Sequence, residues 1–262
     1  MLSRASLFRR SAPGRGFPVL SLLIALAALV PLQAQESQLR QSLRFSDRNW
    51  IVRQTAKPEG PGGNIFGGKD LGVILNQDGS LTLRVFQKEG TWYAGEVTLQ
   101  QRTGYGEYIF RLRTPPGDLD PNLVLGLFTY SAAAAYNHRE IDIEFSAWGI
   151  PKAPVLGQYV IQPYQNPGQM MSFDLSKIMG QASYSFVWTE GRVDFASWMG
   201  YGPRPEGGSP DIIAAWSFAG AAVPTPSPNV HMNLYLAKGE QPPSGRGALS
   251  VTIDSFQFTP AK

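Results

Sequence analysis

Glu140, Asp142 and Glu144 occupy every second position of the heptapeptide Arg139–Phe145 and interleave with Ile141, Ile143 and Phe145. In an extended chain alternate side chains share a face, so the three acids emerge together while the apolar trio anchors in a core on the other side. Carboxylates placed side by side repel, which raises the pKa of at least one of them. A fold gains no stability from that, so the pattern asks for a chemical reason. Glycoside cleavage supplies one: a carboxylate attacks the anomeric carbon, and a second carboxyl, kept protonated, donates to the leaving oxygen. The Cα atoms of Glu140 and Glu144 lie about 13 Å apart at roughly 3.3 Å per residue. Side chains leaning inward shorten that gap; about 5–5.5 Å would mean retention of configuration and about 6.5–9.5 Å inversion. An acidic face on a solvated edge strand, or part of a calcium site, would look the same, so the flanking sequence has to separate these readings.

The elements that must position the acids read as strands. Short runs with β character are Leu81–Phe86, Thr91–Leu99, Tyr105–Arg113, Leu123–Tyr130, Glu140–Phe145, Gln158–Gln162, Ser183–Trp188, Arg192–Trp198, Val230–Leu236 and Leu249–Phe258. Several alternate between apolar and polar residues, which puts one face on a core and the other outward. Asn76-Gln77-Asp78-Gly79 and Glu190-Gly191 read as hairpin turns. Gly200–Pro210 and Pro224–Pro228 read as loops, and Leu175–Met179 as at most one helical turn. The 28 Gly and 21 Pro fit an all-β chain with many turns. The expected architecture is two packed antiparallel sheets.

Residues 1–16 carry Arg4, Arg9, Arg10 and Arg15 and no acid, and an apolar run follows from Phe17 to Val30. That is the layout of a secretory signal, and the run falls short of the roughly 20 residues a membrane span needs. The expectation is a signal peptide over 1–34 cut after Ala34, a polar lead-in over 35–45, and one domain over 46–262. Without the leader the chain has 19 basic and 20 acidic residues, so the basic footprint of a nucleic-acid binder is missing. The absence of Cys rules out a disulfide framework, a thiol nucleophile and thiolate metal sites. With only His138 and His231, a metal site built on several His is disfavoured, as is a Ser-His-Asp hydrolase. The expected product is a secreted or periplasmic monomer with no stable membrane span and no required cofactor.

The segment EIDIEF resembles the active-site strand of glycoside hydrolase family 16, in the lichenase-type form in which one residue separates Asp142 from Glu144. Other pieces resemble the same family in the same order. They are Gly104-Tyr105-Gly106-Glu107-Tyr108 (GYG-x-Y), Leu125–Tyr130 (FFTY), Ser183–Trp188 (Y-x-F-x-W) and Met232-Asn233-Leu234-Tyr235 (MNLW). The resemblance implies a concanavalin A-like jelly roll whose concave sheet forms a cleft for β-glucan-like polysaccharide, cleaved with retention. It implies Glu140 as nucleophile, Glu144 as general acid/base, and Asp142 between them, hydrogen-bonded to the nucleophile. It also implies sugar-binding roles for Glu96, Phe128 and Asn233, with Asn64 and Phe66 on a loop closing over the non-reducing side. The chain departs from the family's pattern at His138 (usually Trp), Arg139 (usually an acid) and Tyr235 (usually Trp). Aromatic faces stack on sugar rings, so these changes bear on glucan specificity.

Trp50, Trp92, Trp148, Trp188, Trp198 and Trp216 are either core or stacking platforms, with Trp148, just past the acidic strand, the best-placed platform. His138 either contacts substrate or caps the strand, and Arg139 is expected to pair with an acid. Asp254 is either a structural calcium ligand or a solvent-facing residue. Three functions share this fold: a retaining endo-glycosidase, a non-catalytic carbohydrate-binding module, and a cell-envelope transglycosylase.

Overall fold

A computed structural model describes residues 41–262. The signal peptide and cut site read at 1–34, and the lead-in up to residue 40, lie outside the described residues. In chain order the strands are β1 (Ser42–Phe45), β2 (Arg48–Val52), β3 (Ile65–Phe66), β4 (Val73–Leu75), β5 (Leu81–Arg84), β6 (Phe86–Lys88), β7 (Thr91–Leu99), β8 (Gly106–Leu112) and β9 (Leu123–Tyr130). They continue as β10 (Ile141–Ser146), β11 (Leu156–Ile161), β12 (Met170–Asp174), β13 (Ala182–Thr189), β14 (Arg192–Met199), β15 (Ile212–Ala219), β16 (Asn229–Leu236) and β17 (Ser250–Pro260).

These strands form two sheets in a jelly-roll sandwich. One runs β1-β2-β7-β16-β9-β10-β11-β12, with β3 and β6 also paired to β7; the other runs β15-β14-β13-β8-β17-β5-β4. Pairing is antiparallel throughout except between β3 and β7. The turns follow local chemistry. Gly79, at φ +83°, closes the β4–β5 hairpin, and Asp78 Oδ1 accepts from the Ser80 backbone N–H at 3.0 Å. Gly191, at φ +67°, lets two residues join Thr189 to Arg192.

The core lies between the sheets. Leu125, Leu127, Ile141, Ile143, Phe145, Met232 and Leu234 face Tyr108, Phe110, Tyr184, Phe186, Phe195 and Phe256, all buried. Phe145 on β10 meets Tyr184 on β13 edge-on at 4.8 Å, which fixes the acidic strand to the opposite sheet. Burying one such side chain contributes about 1.5–3 kcal/mol. Among the described residues no helix is long and apolar enough to cross a membrane.

Strands β1, β2, β3, β4, β6, β12 and β15 are not among the runs the pattern marks. β1 falls inside the stretch read as polar lead-in, yet its Phe45 is buried against Trp50. β12 buries only Phe173 and β15 has no fully buried residue, because each ends its sheet. An edge strand with one half-covered face has little reason to alternate strictly.

Candidate active-site cleft

Every second residue of β10 does point one way. Ile141, Ile143 and Phe145 are fully buried in the core, while Glu140, Asp142 and Glu144 line a cleft of about 590 Å³ on the other face of the ten-stranded sheet. Register extends this face sideways. Glu144 lies opposite Gly126 on β9, Gly126 opposite Asn233 on β16, and Asn233 opposite Glu96 on β7. The next row reads Asp142, Phe128, His231, Thr98. Four strands drawn from residues 91 to 236 thus build one floor. Gly126 keeps it open: a Cβ there would stand 2.6 Å from Asn233 Oδ1. That oxygen is buried and has no hydrogen-bond partner in the protein, so it is available to a ligand hydroxyl.

The turn entering β10 is strained. Asn137, His138 and Arg139 have φ of 48°, 57° and 53°, three successive left-handed residues, a conformation that costs roughly 1–2 kcal/mol at each non-Gly position. Hydrogen bonds hold it. Ser131 N donates to His138 O at 2.7 Å, Thr129 Oγ1 to Arg139 O at 2.9 Å, and His138 Nδ1 to Ser131 O at 3.0 Å. The result aims the His138 imidazole into the cleft, stacked on Tyr130 at 4.8 Å. Arg139 does not pair with an acid as expected; its guanidinium donates to Pro226 O and Ser131 Oγ and lies over the Tyr136 ring.

Burial, then the charge of Glu144, pushes Glu140 up to about 7. Burial alone pushes Glu144 up to about 7. Asp142, 2% exposed, is raised well above the usual carboxylate range by burial and then by both glutamates, against one hydrogen bond from Gln162 Nε2 at 3.0 Å. All three carboxyls are thus shifted toward the protonated form, which suits general acid work. Asp142's hydrogen bond in this structure is with Gln162, not with Glu140.

Glu96 behaves oppositely. Burial works to raise its pKa, but His231 and Arg53 outweigh it, and the net shift is downward. Arg53 Nη1 donates to Glu96 Oε2 at 2.9 Å, and His231 Nδ1 lies 3.2 Å from Oε1. The cleft thus has carboxyls of raised pKa along the acidic strand and a carboxylate of lowered pKa on β7, three strands away. Among the described residues no group of three or more His, Cys, Asp or Glu is arranged to hold a metal.

The structure brings Glu96, Phe128, His138, Asn233 and Tyr235 to the cleft with the three acids. Others lie elsewhere. Asn64 is buried and clamps its loop: Nδ2 donates to Leu236 O and Pro61 O, and Oδ1 accepts from Leu236 N. Phe66 is fully buried beneath the Arg53 guanidinium, 3.9 Å from its ring centroid, so it supports the cleft and does not face it. Trp148 stands outside the cleft lining, half-exposed, with Nε1 donating to Gln158 Oε1 at 3.1 Å. Gln158 is the residue opposite Glu144 on β11, so Trp148 borders the surface beyond that acid. Trp50, Trp188 and Trp198 are core, and Trp92 and Trp216 pack against it. Asp254 is partly exposed, and its carboxylate is engaged within the protein. It accepts from Arg113 at 2.5 Å and from the Tyr201 hydroxyl.

Sequence reasoning missed Arg53, Tyr130, His231 and Gln162. His231 had a signal: it stands two residues before Asn233 in one strand and so shares its face. Tyr130 had the same signal, standing two residues past Phe128 in β9; Arg53 and Gln162 had none, because their partners are chosen by sheet order.

No family model and no curated protein matches the chain. Solved structures match its fold. The β-glucanase of Bacillus licheniformis is 17% identical, with a TM-score of 0.58, over 81% of this chain and 92% of that one. The laminarinase of Flavobacterium sp. UMI-01 is 12% identical, TM-score 0.58, over 80% and 92%. A pseudo β-1,3-glucanase of Mycobacterium tuberculosis is 16% identical, TM-score 0.55, over 81% and 91%. At these identities the likeness establishes a shared fold.

Proposed function

We propose that this protein is an exported glycoside hydrolase of the family 16 type that cleaves β-linked, glucan-like polysaccharide with retention of configuration. The observation that carries the reading is the set of three carboxyls on one strand, open to a sugar-sized cleft, with Glu140 and Glu144 both pushed up to about 7 by burial. The EIDIEF resemblance assigns the roles, and the glucanases that share the fold support the substrate class.

Ionised Glu140 attacks the anomeric carbon. The bond from that carbon to the leaving oxygen breaks, and the proton held by Glu144 goes to that oxygen. Water then gives a proton to Glu144 and its hydroxyl to the anomeric carbon, releasing Glu140. Glu96, ionised and fixed by Arg53 and His231, accepts sugar hydroxyls. Asn233 Oδ1 accepts another. Phe128, Tyr130 and Tyr235 supply ring faces and edges.

A second reading is a non-catalytic glycan-binding protein, favoured by the pseudo-glucanase that shares the fold; the intact acid set argues for turnover. The deciding assay is reducing-sugar release from a panel of β-1,3- and mixed-linkage glucans, agarose and carrageenan, alongside Glu140→Gln, with the product anomer followed by NMR. Binding without product over days would favour the second reading. Full activity of Glu140→Gln would remove Glu140 from the mechanism. Longer products at high acceptor concentration would mark a transglycosylase.

A further inference from the structure

We propose that Gln162 is a positioning residue that decides which oxygen of Asp142 carries its proton, and so where the middle acid of the triad donates. Gln162 follows β11, beside the start of the acidic strand, with its backbone N–H on Glu140 O at 3.3 Å. Its side chain is held at both ends. Tyr164 N–H donates to Oε1 at 3.0 Å, and Nε2 donates to Asp142 Oδ2 at 3.0 Å.

The first bond fixes the second. A backbone N–H needs an acceptor, so the oxygen of the Gln162 amide must face Tyr164 and the NH2 must face Asp142. Oδ2 is thereby held as an acceptor. A hydrogen on Oδ2 would crowd the Nε2 hydrogen and leave a poorer acceptor, so a proton on Asp142 sits on Oδ1. Asp142 is 2% exposed, and water does not compete for that proton. Its neighbours along the strand are Glu140 and Glu144, so Oδ1–H serves one of these or the bound sugar.

The titratable and charged groups on the cleft face around Asp142 are known from every packed element. They are Glu140 and Glu144 on β10, Tyr130 on β9, His231 and Tyr235 on β16, Glu96 on β7, Arg53 after β2, and His138 from the strained turn. On β11 the residues on this face are Gln158 and Val160, neither of which titrates. Gln162 is therefore the uncharged group from that side that sets the proton's place.

The test uses the full chain and two substitutions. Gln162→Glu is isosteric and keeps an acceptor for Tyr164 N–H, but turns an acceptor toward Asp142 and inverts the demand on Oδ2. Gln162→Met removes the bond without adding charge. The kinetic arm rests on the function proposed above. There, Gln162→Glu is expected to lower kcat about 10-fold or more with KM within about threefold, and to displace the pH profile. The infrared arm is independent of turnover. The neutral-carboxyl C=O band that Asp142→Asn removes should move to higher wavenumber in Gln162→Met, as the carbonyl oxygen loses its donor. A pH profile of Gln162→Glu that overlays the wild type, or an Asp142 band unmoved in Gln162→Met, overturns the proposal. If the wild type turns over no glycan, the proposed function fails while the infrared result still decides the role of Gln162.

Discussion

Glu144→Gln is expected to make the folded chain more stable at neutral pH while abolishing turnover. Glu144 is raised from 4.5 to about 7 by burial. Between those values the folded protein keeps a proton that the unfolded chain has released. Stability therefore falls as pH rises from about 4.5 to about 7, and the full penalty is present above that. Holding the proton from about pH 4.5 up to about pH 7 corresponds to roughly 3 kcal/mol. The cleft is open to water, which screens part of this, so about 2 kcal/mol is the expected gain from neutral Gln. In a domain of this size that is about 4–8 °C in Tm. Below pH 4 both side chains are neutral, and the gain should vanish. Thermal unfolding of both proteins by circular dichroism at pH 4, 6 and 8 gives the answer. An equal gain at all three pH values, or a loss at pH 8, refutes the claim that partial burial at the cleft floor raises the Glu144 pKa.

Arg53→Met removes the cation from Glu96, which is 5% exposed. Because Glu96 has a lowered folded pKa, its contribution to stability is present above its unfolded pKa and disappears as pH falls. A Tm loss at pH 7, worth about 2–4 kcal/mol, should shrink at pH 4. Gly126→Ala places a methyl group 2.6 Å from Asn233 Oδ1; glucan affinity in electrophoresis should drop at least about 10-fold with the fold retained, and unaltered affinity would mean ligand does not cross Gly126. Phe145→Ala cuts the contact between β10 and β13 and should lower stability by about 3–5 kcal/mol in urea unfolding. The shift of Glu144 predicts an activity profile whose alkaline limb falls near pH 7 as the general acid loses its proton; full activity at pH 9 would contradict that role.

Local alternation in Arg139–Phe145 is enough to separate three core side chains from three acids, because the period of a strand is a property of the backbone. The same holds for the hairpins at Gly79 and Gly191, where positive φ favours a residue without Cβ. Sequence alone therefore determined the two-sheet class, most strands and the acid triad. Tertiary structure decided who stands beside the triad. Glu96, Gly126 and Asn233 align with Glu144 because β7, β9, β16 and β10 are neighbours in the sheet, an order set by connections spanning more than a hundred residues. Phe66 and Asn64 show the converse. Their motif context placed them at the ligand, and packing put one beneath Arg53 and the other under the Leu236 backbone. Periodicity says which way a side chain leaves its own strand; only pairing between distant strands says what it meets there.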